Sequence, residues 1–361
     1  MNMDAVYAGS YGKLKSLRSD FLSDQKLSQL MEKEAGDILG FLSETTYRTE
    51  IDLLSARYQT PDLEEAVINL HMMNNIKKAL SNLPLGARKF MDAYTARWDI
   101  ENIKVILSSK ILGHQMNESE SFLTIGDKPI GAIIGSISRD DYLNMIAKAD
   151  VEEVVNYLAK YKYGVILLEY LEELKGQGDI SRVILKLDTY YYSNMLREIG
   201  YFNSNKGFRF YSGTKWVMQR FIKDSIDVKN TMAIIKAKAF GYEFEDIKHV
   251  LIAGGNINMQ RLAETSKKQI EEMAPDMPFK IEQAFTSYKG DPLITYFESA
   301  LKKALYTKHI EALDSIPISL HTILSFMLRG ELERDRVRAI WYTKYYKINK
   351  ERAQNAMIIT L

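Results

Sequence analysis

The chain has 361 residues, of which 46% are hydrophobic and 26% charged, with a net charge of +1 at pH 7 and no cysteine. That composition suits a soluble globular chain of two or three ordinary domains and excludes disordered and collagen-like classes. Near-neutral charge argues against a broad nucleic-acid footprint, and the lack of cysteine excludes disulfide frameworks, thiolate metal sites and cysteine nucleophiles. It also suits an intracellular setting. No apolar run reaches the ~18 to 20 residues that cross a bilayer. The richest, Ser315 to Leu328, is interrupted by Pro317, Ser319, His321 and Ser325. The first residues, with Asp4, Ser10 and Lys13, lack the apolar core of a signal peptide.

In chain order, Leu14, Leu17 and Phe21 mark one helical stripe and Leu27, Leu30, Met31, Ile38 and Leu42 another, with Ser23 or Asp24 as the cap between them. Pro61 opens the next helix with Asp62, Glu64 and Glu65 in its first turn, where carboxylates suit the helix dipole. Val67, Leu70 and Met73 supply its buried face, and Asn82 to Gly86 is a break. A helix through Phe90 and Tyr94 leads into Trp98 to Gly113, whose apolar positions Ile100, Ile103, Ile106, Leu107 and Ile111 follow the helical period. Asp99 is read as first-turn, Lys110 as last-turn, and Gly113 as the left-handed terminator.

After a polar connector from His114 to Ser121, Gly126 to Ser138 reads as a bent buried connection or a short irregular helix. Ser138 to Asp141 caps a helix, and another starts near Asp150. Three stretches share a plan of short helix, polar spot and second short helix: Asp24–Leu42, Asp140–Leu158 and Met259–Met273. The tyrosine-rich helix Ile180 to Leu196 corresponds to Leu63–Leu80, and Asn203 to Lys215 is a polar insertion. Gly254-Gly255-Asn256 is a break, Pro275 to Pro278 a turn, and Pro292 to Leu305 a further helix.

The Trp98 to Gly113 motif recurs. Asp227, Asn230, Ile234, Lys238 and Gly241 follow Asp99, Asn102, Ile106, Lys110 and Gly113 at one offset (227 − 99 = 241 − 113 = 128). A degraded copy has Glu333, Arg336, Ile340, Lys344 and, in place of glycine, Lys347. The repeat predicts an all-α fold of three homologous helical subdomains over residues 1–116, 117–241 and 242–361. Its period is far above the ~34 to 47 residues of common helical solenoids.

A search for chemistry finds none. His71, His114, His249, His309 and His321 never stand at i,i+3 or i,i+4, so no metal-ligand set is read from them. Gly126-Asp127-Lys128 lacks the ending of a phosphate loop, and Gly176-Gln177-Gly178 lacks the third glycine and preceding strand of a dinucleotide site. Glu152-Glu153, Glu172-Glu173 and Glu271-Glu272 read as solvated helix faces. Of the tyrosine clusters, Tyr190–Tyr192 lacks interleaved basic residues, and Tyr345–Tyr346, flanked by Lys344 and Lys347, is the one nucleic-acid candidate. No catalytic, cofactor or metal residue is assigned. The candidates left are Asp99, Asn102, Lys110, Asp227, Asn230, Lys238, Glu333, Arg336 and Lys344, either as hydrogen bonds that shape each subdomain or as contacts offered to a partner on a pseudo-threefold axis.

With Trp98 to Leu107, Lys110 and Gly113, the copy from Asp227 to Gly241, and the N-terminal Tyr7, Leu14, Leu17, Leu22 pattern, the chain resembles the C subunit of the archaeal and bacterial A/V-type rotary ATPases, related to the d subunit of the eukaryotic vacuolar enzyme. The resemblance spans essentially the whole chain. It implies a funnel-like protein of three similar subdomains that seats the central stalk on the proteolipid ring and performs no chemistry. Central-stalk subunits and the proteolipid ring are the implied partners, with no nucleic acid and no cofactor. The implied location is the cytoplasmic face of the cell membrane, peripheral through the ring. A generic helical scaffold for another partner is the alternative, and an enzyme with a composite carboxylate site is a third class. In the adaptor reading, charge reversal at Asp99, Asp227 or Glu333 is expected to spare the fold and weaken assembly.

Overall fold

A computed structural model describes residues 3–81, 83, 87–113, 117–119, 122–125, 128–175, 180–201, 212–316 and 318–348. The Asn82 and Pro84 to Gly86 break, His114, Gly126-Asp127, the Gly176 to Asp179 loop, residues 203–211 of the polar insertion and Pro317 lie outside those residues. The helices are α1 (Met3–Leu17), α2 (Asp24–Glu32), α3 (Ile38–Ser43), α4 (Arg48–Leu54) and α5 (Asp62–Leu80). Next come α6 (Arg88–Leu112), α7 (Arg139–Ala147), α8 (Val151–Leu158), α9 (Lys162–Leu168), α10 (Leu171–Lys175) and α11 (Ile180–Tyr201). The last are α12 (Ser212–Ala239), α13 (Phe244–Ile247), α14 (Met259–Ser266), α15 (Glu282–Gly290), α16 (Thr295–Asp314) and α17 (Leu320–Tyr345).

The fold is all-α, with one small addition. Strands β1 (Asn117–Ser119), β2 (Phe122–Ile125) and β3 (Lys128–Ala132) form an antiparallel meander in the order β1-β2-β3. The sequence reading of Gly126 to Ser138 as a bent buried connection or a short irregular helix is corrected over Lys128–Ala132, which is a strand, while residues 133–138 form an irregular connection with Ile134 and Ile137 buried. Strands of three to five residues are too short to show a period of two, and Pro129 sits on an edge strand, where a missing N–H is tolerated.

Two compact units divide the chain: Gly86–Tyr201, and Met1–Leu85 together with Phe202–Leu361. In the first, α6 and α11 pack along each other around Tyr94, Ile103, Leu187, Tyr191 and Met195, all buried. Lys104 Nζ, 2.7 Å from Asp188 Oδ1, ties the two helices inside that contact. The short helices α7 and α8 bury Tyr142, Met145, Val154, Val155 and Leu158.

In the second unit, α17 packs between α5 and α16, and α16 packs on α12. Pairings fix the directions. Asp335 meets Lys302 at 2.6 Å while Glu331 meets Tyr306 at 2.8 Å, so α17 runs antiparallel to α16. Asp224 meets Lys308 at 2.8 Å while Lys236 meets Glu298 at 3.4 Å, so α12 is antiparallel to α16 as well. The C-terminal ends of α12 and α17 therefore share one end of the unit, beside the start of α16. The Leu320 to Leu328 stretch of α17 is buried on all sides, its polar His321, Thr322 and Ser325 included.

The motif residues are not at helix starts. Asp99 sits in the middle of the 25-residue α6, not in a first turn, because the Phe90–Tyr94 helix and the motif helix are one. Asp227 and Glu333 are equally interior to α12 and α17. Aspartate is a poor interior helix residue, so what these carboxylates bind has to offset that cost.

Candidate functional site

Each motif carboxylate grips the backbone that enters a short neighbouring helix. Asp99 accepts on both oxygens: Oδ2 takes the Ser136 N–H at 2.7 Å and the Ser136 hydroxyl at 2.9 Å, and Oδ1 takes the Ile137 N–H at 3.3 Å. The hydroxyls of Tyr142 (2.8 Å) and Tyr163 (3.2 Å) complete the set. The next residue, Ser138, is the N-cap of α7. Asp227 does the same one repeat later. Its Oδ2 takes the Asn256 N–H at 3.0 Å and its Oδ1 the Ile257 N–H at 3.0 Å, just before Asn258 caps α14.

A glycine makes room for each grip. A Cβ on Gly135 would lie 2.1 Å from Asp99 Oδ1, and one on Gly255 2.1 Å from Asp227 Oδ1, so only the absent side chain admits the carboxylate. The motif asparagine pins the chain a little upstream. Asn102 Nδ2 donates to the Ala132 carbonyl at 2.9 Å. Asn230 exchanges two bonds with the Ile252 backbone, both at 2.8 Å. Ala132 and Ile252 each stand five residues before the gripped isoleucine (137 − 132 = 257 − 252 = 5).

The third copy closes on the start of the chain. Glu333 Oε2 accepts the Leu22 N–H at 2.5 Å, just before Ser23 caps α2, and Oε1 accepts the Tyr47 hydroxyl at 3.0 Å. Here Asp20 stands where the other copies have Gly135 and Gly255, three residues before the cap. The carboxylate that reaches this segment is on a side chain one methylene longer than in the other two copies. His71, stacked on Tyr47 at 3.8 Å, lies 3.7 Å from Glu333 Oε1 and 3.2 Å from Glu50 Oε2.

Burial sets the electrostatics. Asp99, Asp227 and Glu333 are only 0%, 2% and 6% exposed. Burial pushes all three carboxyls above their ordinary values, while the hydrogen bonds they accept pull the other way and offset it in part. Asp224 differs. Burial raises it too, but His309 Nε2 at 2.9 Å and Lys308 Nζ at 2.8 Å outweigh that and hold it below the usual carboxylate range.

The motif helices also end alike. Gly113 and Gly241 take positive φ of 70° and 77°, and Lys347, at the third position, keeps φ 48°. The Tyr242 N–H reaches back to the Ala237 carbonyl at 2.9 Å and the Ile348 N–H to that of Thr343 at 3.1 Å, the long bond of a Schellman ending. The residue before the turn is a large exposed apolar side chain in every copy: Leu112 at 66%, Phe240 at 71% and Tyr346 at 59% exposure. Tyr242 and Ile348, just after it, are exposed as well.

The family model described as ATP synthase (C/AC39) subunit matches residues 11–356. The chain belongs to this family. It is 33% identical to the C subunit of the A-type ATP synthase of Thermoplasma acidophilum and to that of Thermoplasma volcanium, each over 99% of both chains. With the corresponding C subunit of Methanocaldococcus jannaschii it shares 23% identity over 98% of this chain and 86% of the relative. Members of this family are structural, not catalytic, parts of the complex.

Within this family member the sequence candidates part company. Asp99, Asn102, Asp227, Asn230 and Glu333 are buried backbone clamps. Lys110 Nζ donates to the carbonyls of Ile146 and Lys148 at the end of α7, the former at 2.6 Å. Lys238 and Lys344, half-buried, make no such bond among the described residues, and Arg336 Nη1 lies 3.5 Å from Asp24 Oδ1. Sequence reasoning missed Gly135, Ser136, Asn256, Tyr142, Tyr163 and Tyr47. The available signal was the matched pair Gly135-Ser136-Ile137-Ser138 and Gly255-Asn256-Ile257-Asn258. Among the described residues no group of three or more His, Asp or Glu is arranged to hold a metal ion, and no helix is long and apolar enough to cross a membrane.

Proposed function

We propose that the chain is the non-catalytic central-stalk subunit of an A-type ATP synthase, a socket that couples the central stalk to the membrane proteolipid ring during rotary proton or sodium transport. It then works peripherally, on the cytoplasmic face of the membrane, with stalk subunits and ring as partners. The observation that carries this reading is the family match over nearly the whole chain, to relatives that are subunits of that complex.

The geometry supports it from two sides. A coupling part has to resist twisting, and long helices cross-tied by charge pairs do so; the 26-residue α17 is about 40 Å long. The carboxylate clamps tie each long helix to a short one at a backbone, not at a flexible side chain. In place of subdomains bounded at 116/117 and 241/242 and closed by the motif helix, we read three repeats each opened by it, with the third completed by the N-terminal segment, set around a pseudo-threefold, funnel-like axis. In this reading Asp99, Asn102, Asp227, Asn230 and Glu333 shape the subdomains. The exposed ends at Leu112, Phe240, Tyr242, Tyr346 and Ile348, with Lys238 and Lys344 nearby, take the contact role.

Co-sedimentation tests the proposal. The purified chain is expected to travel with purified central-stalk subunits and, separately, with detergent-solubilised proteolipid ring. Binding to neither would sink it.

A further inference from the structure

Between α12 and the α14 entrance lies a cleft of about 550 Å³, within the size range of ligand pockets. Its carboxylates are already engaged. Asp224 is held by Lys308 and His309, Asp227 by the backbone of Asn256 and Ile257, and Asp276 by Lys268 at 2.5 Å. Its cations are not. Arg220, Lys223 and Arg261 are exposed, and among the described residues none of them has a carboxylate partner. Counting Lys268 and Lys308, five cations stand against the three carboxylates of Asp224, Asp227 and Asp276, so the cleft carries a net charge of +2 with His309 neutral (5 − 3 = 2).

Trp216 stands at its edge, 58% exposed, with the Arg220 guanidinium 5.1 Å from its ring centre. Trp216, Arg220, Lys223 and Asp227 follow one another at steps of four, three and four residues, one face of α12. Tryptophan and arginine dominate the energetics of protein interfaces, while an exposed tryptophan in water stabilises nothing.

We propose that this cleft receives an acidic polypeptide segment of another subunit of the complex, one that carries two or more carboxylates beside an apolar side chain for Trp216. A nucleotide or free phosphate fits less well. Compact phosphate sites rest on backbone N–H donors, and here those of Asn256 and Ile257 already serve Asp227. What remains are long, mobile cationic side chains, which suit spread carboxylates. The inference rests on the central-stalk reading above.

The test uses the full chain and an A-type ATP synthase stripped of this subunit. Arg220→Glu/Lys223→Glu/Arg261→Glu alters only exposed side chains, and an unchanged melting curve verifies its fold. The unaltered chain is expected to bind the stripped complex, and the triple variant to bind about tenfold or more weakly, by a margin that shrinks as salt is added. Arg220→Lys/Arg261→Lys should keep most of the binding. Zero-length carbodiimide coupling should join Lys223 to an Asp or Glu of another subunit. Undiminished binding by the triple variant overturns this inference alone, whereas failure of the unaltered chain to bind sinks the central-stalk reading and this inference together. Quenching of Trp216 fluorescence by Mg-ATP or inorganic phosphate, lost in the triple variant, would overturn it in favour of a small anion.

Discussion

Glu333 holds the backbone N–H of Leu22 across 311 residues of chain, the same grip that Asp99 has on Ile137 and Asp227 on Ile257. One geometric rule covers all three. Where the gripped segment carries glycine three residues before the cap the motif helix uses aspartate, and where it carries Asp20 the helix uses glutamate. Glu333→Asp, which looks like restoration of the repeat, should therefore destabilise the protein by about 1 to 3 kcal/mol, since the shorter side chain leaves the buried Leu22 N–H unpaired. Gly135→Ala and Gly255→Ala should destabilise by a similar amount through overpacking. Thermal unfolding of the three variants checks this, and a Glu333→Asp protein as stable as the parent would break the rule.

Asp99 and Asp227 each use both oxygens on backbone N–H groups, which cannot turn round to accept. An asparagine there points an amide N–H at a backbone N–H. Asp99→Asn and Asp227→Asn should each cost about 1 to 3 kcal/mol, read as a lowered unfolding midpoint. Charge reversal at these buried sites should abolish folding, seen as loss of helical circular dichroism. This replaces the sequence-based expectation that such variants stay folded and fail only in assembly.

Acid sensitivity should come from a different aspartate. The Asp224 carboxyl is held below its ordinary 3.8, so its contribution is complete above that value and is lost as the pH falls through its lower folded value. The raised carboxyls of Asp99, Asp227 and Glu333 act with the opposite sign: their contribution is present at low pH and declines as pH rises through their folded values. Asp224→Asn should thus flatten the acid limb of the stability–pH curve. An acid limb as steep in the variant as in the parent would exclude Asp224 as its source.

Lys347 holds a left-handed backbone although its side chain is exposed. Lys347→Gly should stabilise the third motif helix by about 1 kcal/mol, while Gly113→Ala and Gly241→Ala lose a comparable amount. Denaturant midpoints of the three single variants provide the comparison, and a destabilised Lys347→Gly chain would show that its side chain makes a contact worth more than the strain.

Helix content and the two clear motif copies were legible because burial of one helix face writes a 3.6-residue period into sequence. The partners of the motif carboxylates were not. A constant offset of 128 finds Asp227 from Asp99, but Asn256 follows Ser136 by 120, because the β-meander adds eight residues to the first copy alone. The third partner was further hidden, since Leu22 lies at the opposite end of the chain and Asp20 erases the glycine. Mid-helix placement of Asp99 was missed because a carboxylate before an apolar run looks like a first turn. His71 and His309 illustrate the same limit: their carboxylates, Glu50 and Asp224, come from other helices.

Coupling is the most direct test of the adaptor role. An A-type ATP synthase stripped of this subunit and reconstituted into vesicles should hydrolyse ATP without moving ions, and adding the purified chain should restore ATP-driven ion uptake in proportion to its occupancy. Full ion uptake in its absence, or its stable binding with no recovery of uptake, would contradict a role in joining stalk to ring.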